Sequence, residues 1–316
     1  MSQRTLVIAN QLSADFGAFL ARHPSAPHVI TGVDADRPWL IPDEADIVIT
    51  RAFAGWKSAP ATCPALPNLK WVQTYSAGVE IYPDWLKAGR IVSCGRGLTA
   101  PQIAEYALAA MLRFEKRLDT YRATCPDDWI TRPMGSLEGK TLGLIGFGAI
   151  GQETVRRAQA FGMQIHACRR GAWTQVPDGV TAADSPEQVI SVADHLVLAM
   201  PLTDETRCMV DAALLAQAKP GLHLINVARG GLVVQADLIA ALNAGRLAFA
   251  TLDVTTPEPL PAGDPLWTHP QVLLTPHVSY VGGPEEARFR SKVLANLDAF
   301  CAGQPLNDVV DLTRGY

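Results

Sequence analysis

Apolar runs of strand length alternate with helical patterns along most of the chain. Three runs lie in the first hundred residues: TLVIA (5–9), ADIVIT (45–50) and LKWVQTY (69–75). Six more follow, at residues 141–148, 163–168, 195–201, 223–229, 249–254 and 272–277. Helical patterns such as residues 149–161 and 235–245 separate most of them. Continuous apolar strands that alternate with amphipathic helices predict βαβ units, in which helices cover both faces of a parallel sheet.

Two longer helical patterns bracket the second series of strands. Residues 99–118 place apolar side chains at three- and four-residue spacing: Ile103, Tyr106, Ala110, Met111, Phe114 and Leu118. Residues 284–303 repeat this spacing with Phe289, Val293, Leu294, Leu297 and Phe300. Helices in these positions would carry the chain from one domain to a second and back. We therefore predict a discontinuous first domain, residues 1–98 and 285–316, around an inserted domain, residues 99–284.

Composition narrows the class of protein. The 316 residues are 48% hydrophobic and 18% charged, which fits a globular chain with a large core and argues against disorder. The net charge of -4 gives no general attraction to nucleic acid or to an anionic membrane. No apolar segment approaches the roughly 20 residues that span a bilayer, and the short apolar run after the first residues is too short for a secretory signal.

The cysteines indicate a reducing compartment. They are six in number, scattered and without a CxxC pair: Cys63, Cys94, Cys125, Cys168, Cys208 and Cys301. This usage favours reduced thiols over a disulfide or zinc framework. We predict a cytoplasmic protein with no metal site, no nucleic-acid partner and no membrane partner.

A glycine-rich motif in TLGLIGFGAIGQETV indicates a dinucleotide site. Gly146, Gly148 and Gly151 form G-x-G-x-x-G between a predicted strand and a predicted helix. The first glycine would allow a tight turn, the second would let the backbone approach a pyrophosphate, and the third would allow close packing of helix on strand. We assign Ala149 and Ile150, at the start of the helix, to the same site because phosphates bind at helix N-termini.

The position after the second strand of this unit indicates the choice of cofactor. Arg169 lies 23 residues after Gly146, and Arg170 follows it. An NAD-binding fold normally has an Asp or Glu at about this distance to bind the ribose 2′-hydroxyl. A carboxylate would repel a 2′-phosphate, whereas Arg can bind one through a charged, bidentate fork. We predict a preference for NADP(H), with NAD(H) as the alternative.

Three further motifs end predicted strands: NVARGG (226–231), LDVTTPEP (252–259) and TPHVSY (275–280). Open α/β sheets build their sites at these strand ends. The motifs supply Arg229, Glu258 and His277, each of which singly has an ordinary structural explanation. Their occurrence together, in this order and after the glycine motif, indicates catalysis.

With these motifs the chain resembles the D-isomer-specific 2-hydroxyacid dehydrogenases, a family that includes glyoxylate/hydroxypyruvate reductases. The resemblance runs from LKWVQTYSAGVE to NDVVDLTRGY and is densest over residues 137–277. It implies two doubly wound parallel-sheet domains, with a Rossmann-type cofactor domain inserted into a flavodoxin-like substrate domain. It also implies a homodimer, in which residues 126–139 match the family's dimerisation region.

The resemblance assigns roles to the three charged residues. His277 matches the acid/base histidine, and histidine suits proton transfer near neutral pH. Glu258 matches the paired carboxylate, which favours the protonated ring and fixes its orientation. Arg229 matches the substrate-binding arginine, which would hold the substrate carboxylate and polarise the carbonyl group.

Further site residues follow from the same resemblance. In TYSAGVE, Ala77 and Gly78 match the glycine loop whose backbone N–H groups receive the substrate carboxylate, although Ser76 and Glu80 depart from the usual Gly and Asp. The remaining cofactor contacts are assigned to Pro201, Thr206, Val227, Ala228 and Asp253. Asp253 corresponds to a contact with the nicotinamide carboxamide. Trp267 and Tyr280 are candidates for the wall of the substrate's side-chain pocket.

These assignments predict an NADPH-preferring reductase of small 2-oxo acids, such as glyoxylate or hydroxypyruvate, that yields D-2-hydroxy acids. Reduction of another 2-oxo acid such as phenylpyruvate and a phosphoglycerate-type dehydrogenase stay open. Formate enzymes of this fold are disfavoured because they have glutamine where Glu258 stands. From another class, a dinucleotide-sensing protein resembling the C-terminal-binding-protein corepressors would bind cofactor without turnover.

Overall fold

The structure is a computed structural model that describes residues 4–62 and 64–314. The chain divides into two compact units. Unit 1 comprises Met1–Leu98 and Pro284–Tyr316, and unit 2 comprises Thr99–Gly283. Among the described cysteines all five are free thiols, and Cys63 lies outside the described residues. Within the described part of the chain, no helix is long and apolar enough to cross a bilayer.

Unit 1 contains a five-stranded parallel sheet with the strand order β2-β1-β3-β4-β5. Its strands are β1 (Val7–Asn10), β2 (His28–Thr31), β3 (Ile47–Thr50), β4 (Trp71–Thr74) and β5 (Ile91–Ser93). Its helices are α1 (Ala14–Leu20), α2 (Asp84–Lys87), a 3₁₀ turn (Ala54–Ser58) and the long C-terminal helix (Glu285–Cys301). The strand order is that of flavodoxin-like folds.

Alternate side chains of these strands enter two hydrophobic cores. Ile8 and Ile47 face the core that contains Phe16 of α1 and Phe289 of the C-terminal helix. Val48, their neighbour on β3, points to the opposite core. Because side chains alternate across a strand, each face of the sheet is covered by its own layer.

Unit 2 contains a seven-stranded sheet in which every pairing is parallel. Its strands are β6 (Thr141–Ile145), β7 (Gln164–Cys168), β8 (Val180–Ala182), β9 (His195–Leu198), β10 (Leu222–Asn226), β11 (Leu247–Leu252) and β12 (Val272–Leu274). The order across the sheet is β12-β11-β10-β9-β6-β7-β8. The strand order reverses between β9 and β6, which is the Rossmann arrangement, and ligands bind at such a switch point.

Helices cover both faces of this second sheet. They are α3 (Ala100–Lys116), α4 (Ala149–Ala160), α5 (Pro186–Ile190), α6 (Ala212–Leu215) and α7 (Gln235–Asn243). The C-terminal helix of unit 1 is therefore α8. Three 3₁₀ turns occupy Pro126–Asp128, Gly230–Leu232 and Pro265–Trp267. Helices α3 and α4 contribute Met111 and Val155 to one core. Helices α5 and α7 contribute Val189 and Leu238 to the other.

The predicted fold class, two doubly wound parallel-sheet domains, is confirmed. Three short strands were not predicted: β2, β5 and β8. Each is an edge strand, so it lacks the continuous apolar run of a strand with neighbours on both sides. The predicted helical face over residues 99–118 is wrong at Leu118, which lies beyond the end of α3 and is exposed. Arg117, in a left-handed conformation, ends that helix one residue earlier.

Candidate active site

The glycine motif forms the turn between β6 and α4. Gly146 has φ of +101°, and a Cβ there would come within 2.6 Å of the backbone of Ala199 and Met200. A Cβ on Gly151 would come 2.8 Å from the carbonyl oxygen of Gly146, so these two positions require glycine. At Gly148 a Cβ would meet no heavy atom within 4 Å, so space is open beside the backbone.

Helix α4 begins at this open space without a side-chain cap. Gly148 is the N-cap residue and makes no capping bond, so the N–H groups of Ala149, Ile150 and Gly151 keep their hydrogen-bonding capacity. A helix N-terminus with uncapped N–H groups favours an anion. The turn therefore fits the pyrophosphate of a dinucleotide.

Arg169 and Arg170 follow β7 and are both exposed. They have different surroundings. The guanidinium carbon of Arg169 lies 5.7 Å from the ring centroid of Trp173, whereas Arg170 Nη1 lies 3.0 Å from Glu205 Oε2. The carboxyl ends of neighbouring parallel strands lie at the same end of the sheet, so this pair of cations lies at the same end as the glycine motif.

His277 and Glu258 form a hydrogen-bonded pair. His277 Nδ1 lies 2.9 Å from Glu258 Oε2, and each side chain is 40% exposed. The other carboxylate oxygen, Oε1, accepts a bond of 3.1 Å from the backbone N–H of Thr255. With Nδ1 bound to a carboxylate, Nε2 is the ring nitrogen that is left for a reacting group.

Asp253 holds the loop that carries His277. Its side chain is 1% exposed and accepts hydrogen bonds from Thr275 Oγ1 at 2.5 Å, Val278 N at 2.8 Å and Ser279 N at 2.9 Å. Its backbone oxygen accepts the N–H of His277 at 2.8 Å. His277 has φ of +53°, which is an unfavourable conformation for a residue with a Cβ, and the Asp253 bonds on both sides of it fix that conformation.

Arg229 lies at the end of β10 in a loop that touches the Glu258 loop. Its Nη1 donates to the carbonyl oxygen of Ala228 at 2.8 Å, and its own carbonyl oxygen accepts a bond from Asn226 Nδ2 at 2.9 Å. The next residue, Gly230, is so close to Thr255 that a Cβ would come 2.0 Å from the Thr255 carbonyl carbon. The Arg229 loop is therefore packed directly on the loop whose Thr255 N–H binds Glu258.

The structure places the other predicted residues of unit 2 around the same sheet edge. Val227 and Ala228 are buried and belong to the two cores of unit 2. Pro201 and Thr206 lie in the loop after β9, where Thr206 Oγ1 donates to the Pro201 carbonyl oxygen at 2.8 Å.

The two candidate pocket aromatics are both about half exposed. The Tyr280 ring stands edge-on to the His277 ring, with centroids 5.8 Å apart. Trp267 instead donates through Nε1 to the carbonyl oxygen of Pro261 at 2.9 Å. Only Tyr280 is brought against a predicted catalytic residue.

In unit 1, Ala77 and Gly78 follow β4. Ser76 Oγ donates to the carbonyl oxygen of Gly78 at 2.8 Å, and the Ser76 carbonyl oxygen accepts bonds from Thr74 Oγ1 and from Gly95 N, both at 2.9 Å. Within residues 4–62 and 64–314, the N–H groups of Ala77 and Gly78 donate to no protein acceptor. The loop is thus fixed by its carbonyl groups and keeps two amide donors for an anion.

A buried histidine pair at the amino-terminal ends of β9 and β10 was not predicted from the sequence. His195 Nδ1 and His223 Nδ1 are 3.2 Å apart, His195 Nε2 lies 3.2 Å from Glu115 Oε1, and His223 Nε2 lies 2.9 Å from Thr251 Oγ1. Burial lowers the pKa of His195 to about 4 and holds the pKa of His223 well below its ordinary value. Two neutral rings satisfy every bond if His195 donates to Glu115 and accepts from His223.

Comparison with known proteins fixes the family. Residues 108–279 match the family described as D-isomer specific 2-hydroxyacid dehydrogenase, NAD binding domain. A glyoxylate/hydroxypyruvate reductase A of Serratia proteamaculans is 35% identical over 267 residues, which cover 79% of this chain and 82% of that protein. The chain belongs to the D-isomer-specific 2-hydroxyacid dehydrogenase family.

Solved structures of this family share the fold over the full chain. A D-isomer specific 2-hydroxyacid dehydrogenase from Xanthobacter autotrophicus, in complex with NADPH and MES, has a TM-score of 0.81 at 28% identity, covering 99% of this chain and 100% of that chain. An NADPH-dependent glyoxylate/hydroxypyruvate reductase from Sinorhizobium meliloti, in complex with NADP and sulfate, has a TM-score of 0.78 at 26% identity with the same coverage of both chains. The predicted family and oxidoreductase class are confirmed.

Proposed function

We propose that this dehydrogenase reduces small 2-oxo acids of the glyoxylate and hydroxypyruvate type to D-2-hydroxy acids with NADPH. The observation that carries the proposal is the His277–Glu258 pair, 2.9 Å apart, with the Arg229 loop packed against the Glu258 loop. It is supported by the similarity to glyoxylate/hydroxypyruvate reductases.

Each of the three residues has one role in the reduction. NADPH bound at the turn over Gly146–Gly151 would supply a hydride for the carbonyl carbon of the substrate. His277 donates a proton from Nε2 to the carbonyl oxygen, where negative charge develops. Glu258 is hydrogen-bonded to Nδ1 and orients the ring, while the Thr255 N–H fixes the carboxylate. Arg229 binds the substrate carboxylate and stabilises the developing charge.

The two units divide the binding of substrate and cofactor. Unit 1 is the substrate-binding domain, whose Ala77 and Gly78 amides receive the substrate carboxylate. Unit 2 is the cofactor domain, with the pyrophosphate at the turn over Gly146–Gly151. The remaining cofactor contacts come from Pro201, Thr206 and Asp253 and from the backbone of Val227 and Ala228.

NADPH is the preferred cofactor because cations stand where an NAD site needs a carboxylate. Arg169 and Arg170 follow β7 and are exposed, and we assign the 2′-phosphate to these two arginines. The solved relatives in complex with NADPH or NADP support this choice.

We also propose a cytoplasmic homodimer. Residues 126–139, the segment that resembles the family's dimerisation region, present large apolar side chains to solvent: Trp129 is 86% exposed, and Ile130 and Met134 are also exposed. Exposed apolar clusters of this kind mark protein interfaces.

A spectrophotometric screen tests the proposed function. Glyoxylate, hydroxypyruvate, pyruvate and phenylpyruvate are each supplied with NADPH or NADH, and loss of the reduced nicotinamide is followed. We expect the highest kcat/KM with NADPH and one of the two smaller oxo acids. Cofactor binding without turnover on any of the four acids would instead favour a dinucleotide-sensing protein.

A further inference from the structure

Three side chains form a continuous series of contacts between the glycine motif and the predicted cofactor-selecting loop. Phe147, between Gly146 and Gly148, is 9% exposed and anchored in the core of unit 2. The half-buried ring of Trp173 lies 4.9 Å from the Phe147 ring, measured between centroids. On Trp173 rests the guanidinium of Arg169, at 5.7 Å. An exposed arginine is thereby connected to the rigid turn that fits the pyrophosphate.

Arg169 and Arg170 differ in whether their guanidinium group is already paired with an anion. Arg170 is paired with the carboxylate of Glu205, an anion that competes with any phosphate for the same donors. Arg169 makes no ion pair within the described residues, and its aromatic support carries no net charge. A phosphate that approaches Arg169 therefore displaces no anion.

The aromatic support also lowers the cost of ordering the arginine. A free Arg side chain loses rotamer entropy when it is fixed. Contact of the guanidinium with a Trp ring holds the side chain through a favourable cation–π interaction, so part of that ordering is complete before the ligand arrives. Preorganisation of this kind raises affinity without a new contact to the ligand.

We propose that Trp173 is a specificity-determining residue, which positions Arg169 for the 2′-phosphate of NADPH and thereby sets the preference over NADH. The proposal rests on the proposed use of NADPH. Trp173 acts through Arg169 and not by a contact of its own with the phosphate, so it is a positioning residue. NADH lacks the 2′-phosphate, and its use is independent of Trp173.

The test compares Trp173→Leu, Trp173→Phe and Arg169→Ala, with Trp39→Leu as a control at another half-buried tryptophan, in unit 1. The ratio of kcat/KM for NADPH to that for NADH is measured, together with the Kd of each cofactor. We expect Trp173→Leu to lower the ratio about fivefold, which corresponds to about 1 kcal/mol, while the Kd for NADH changes less than twofold. Trp173→Phe should retain most of the ratio, and Trp39→Leu should leave it unchanged.

A double variant separates positioning from a structural role. In the Arg169→Ala background, Trp173→Leu should change the ratio no further, because the residue it positions is gone. An equal loss with NADPH and NADH would show that Trp173 only supports the glycine turn and would overturn the proposal. If Arg169→Ala lowers the ratio and Trp173→Leu does not, positioning by Trp173 is refuted and the NADPH preference stands. If Arg169→Ala leaves the ratio unchanged, the arginine-based preference is refuted as well.

Discussion

Replacing Asp253 with asparagine tests how the candidate catalytic histidine is held. The two carboxylate oxygens divide the donors: Thr275 Oγ1 and Val278 N bond to Oδ1, and Ser279 N bonds to Oδ2. Asn has the same shape but offers one oxygen and an NH₂ group. Whichever way the amide is turned, a backbone N–H of the His277 loop then faces a donor.

The cost follows from burial. Leaving one buried donor unsatisfied costs about 1–3 kcal/mol, and a charge-assisted bond is lost at the same time. We expect Asp253→Asn to lower the free energy of unfolding by about 2–4 kcal/mol. For a unit of this size that corresponds to a fall in Tm of about 5–15 °C. Misplacement of His277 by as little as about 1 Å should lower kcat about 100-fold.

Calorimetry measures the change in Tm, and steady-state kinetics measures the change in kcat at a temperature below the thermal unfolding of both the wild type and the variant. Asp178→Asn is the matched control, because Asp178 is exposed in the same unit and should leave Tm and kcat unchanged. A variant with the wild-type Tm and kcat would refute the account of the loop. A lower Tm with an unchanged kcat would show that the bonds stabilise the unit without positioning His277.

Two further predictions concern backbone packing and pH. Gly230→Ala should lower kcat about 100-fold and the free energy of unfolding by about 1–3 kcal/mol, because the added Cβ would overlap Thr255 and separate the Arg229 loop from the Glu258 loop. The control is Gly32→Ala, where a Cβ meets nothing within 4 Å. A fully active Gly230→Ala variant would contradict this packing. The pKa of His195 is about 4 in the folded protein, below the ordinary value near 6.5, so the unfolded chain binds the proton first as the pH falls. The free energy of unfolding, measured in urea, should therefore fall between pH 6.5 and pH 4 by up to about 1.4 kcal/mol per pH unit for this group. His195→Gln should make that dependence shallower, and an equally steep dependence in the variant would contradict the assignment.

Local signals in the sequence predicted most of the fold. Long apolar runs predicted nine of the twelve strands. Eight of these nine have neighbours on both sides and are covered on both faces, and the ninth, β12, is an edge strand. Three of the four edge strands were not found: β2, β5 and β8. His28–Thr31 is only partly buried, and Val180–Ala182 has three residues. The glycine motif and the order Arg229, Glu258, His277 could also be recognised in the sequence, because chemistry at strand ends needs particular residue types.

Side-chain contacts that depend on strand register and on loop packing could not be predicted from the sequence. His195 and His223 stand opposite each other because β9 and β10 pair in that register, and nothing in either strand alone specifies it. The bonds from Asp253 to the His277 loop depend on a turn with a positive φ at a non-glycine residue. Trp173 carried one signal, a large aromatic four residues after Arg169, but its contact with Phe147 needed the folded loop.

We propose that His277 is the proton donor of a 2-oxo acid reductase. The most direct measurement is NADPH oxidation with glyoxylate and hydroxypyruvate by the wild-type protein, by His277→Ala and by His269→Ala, a control histidine of the same unit. We predict turnover by the wild type and by the control, and a loss of about 10³-fold in kcat for His277→Ala with the Kd for NADPH within about twofold of wild type. Near-normal turnover by His277→Ala would contradict the role of His277 as proton donor, and no turnover by the wild type with either acid would contradict the proposed reductase activity.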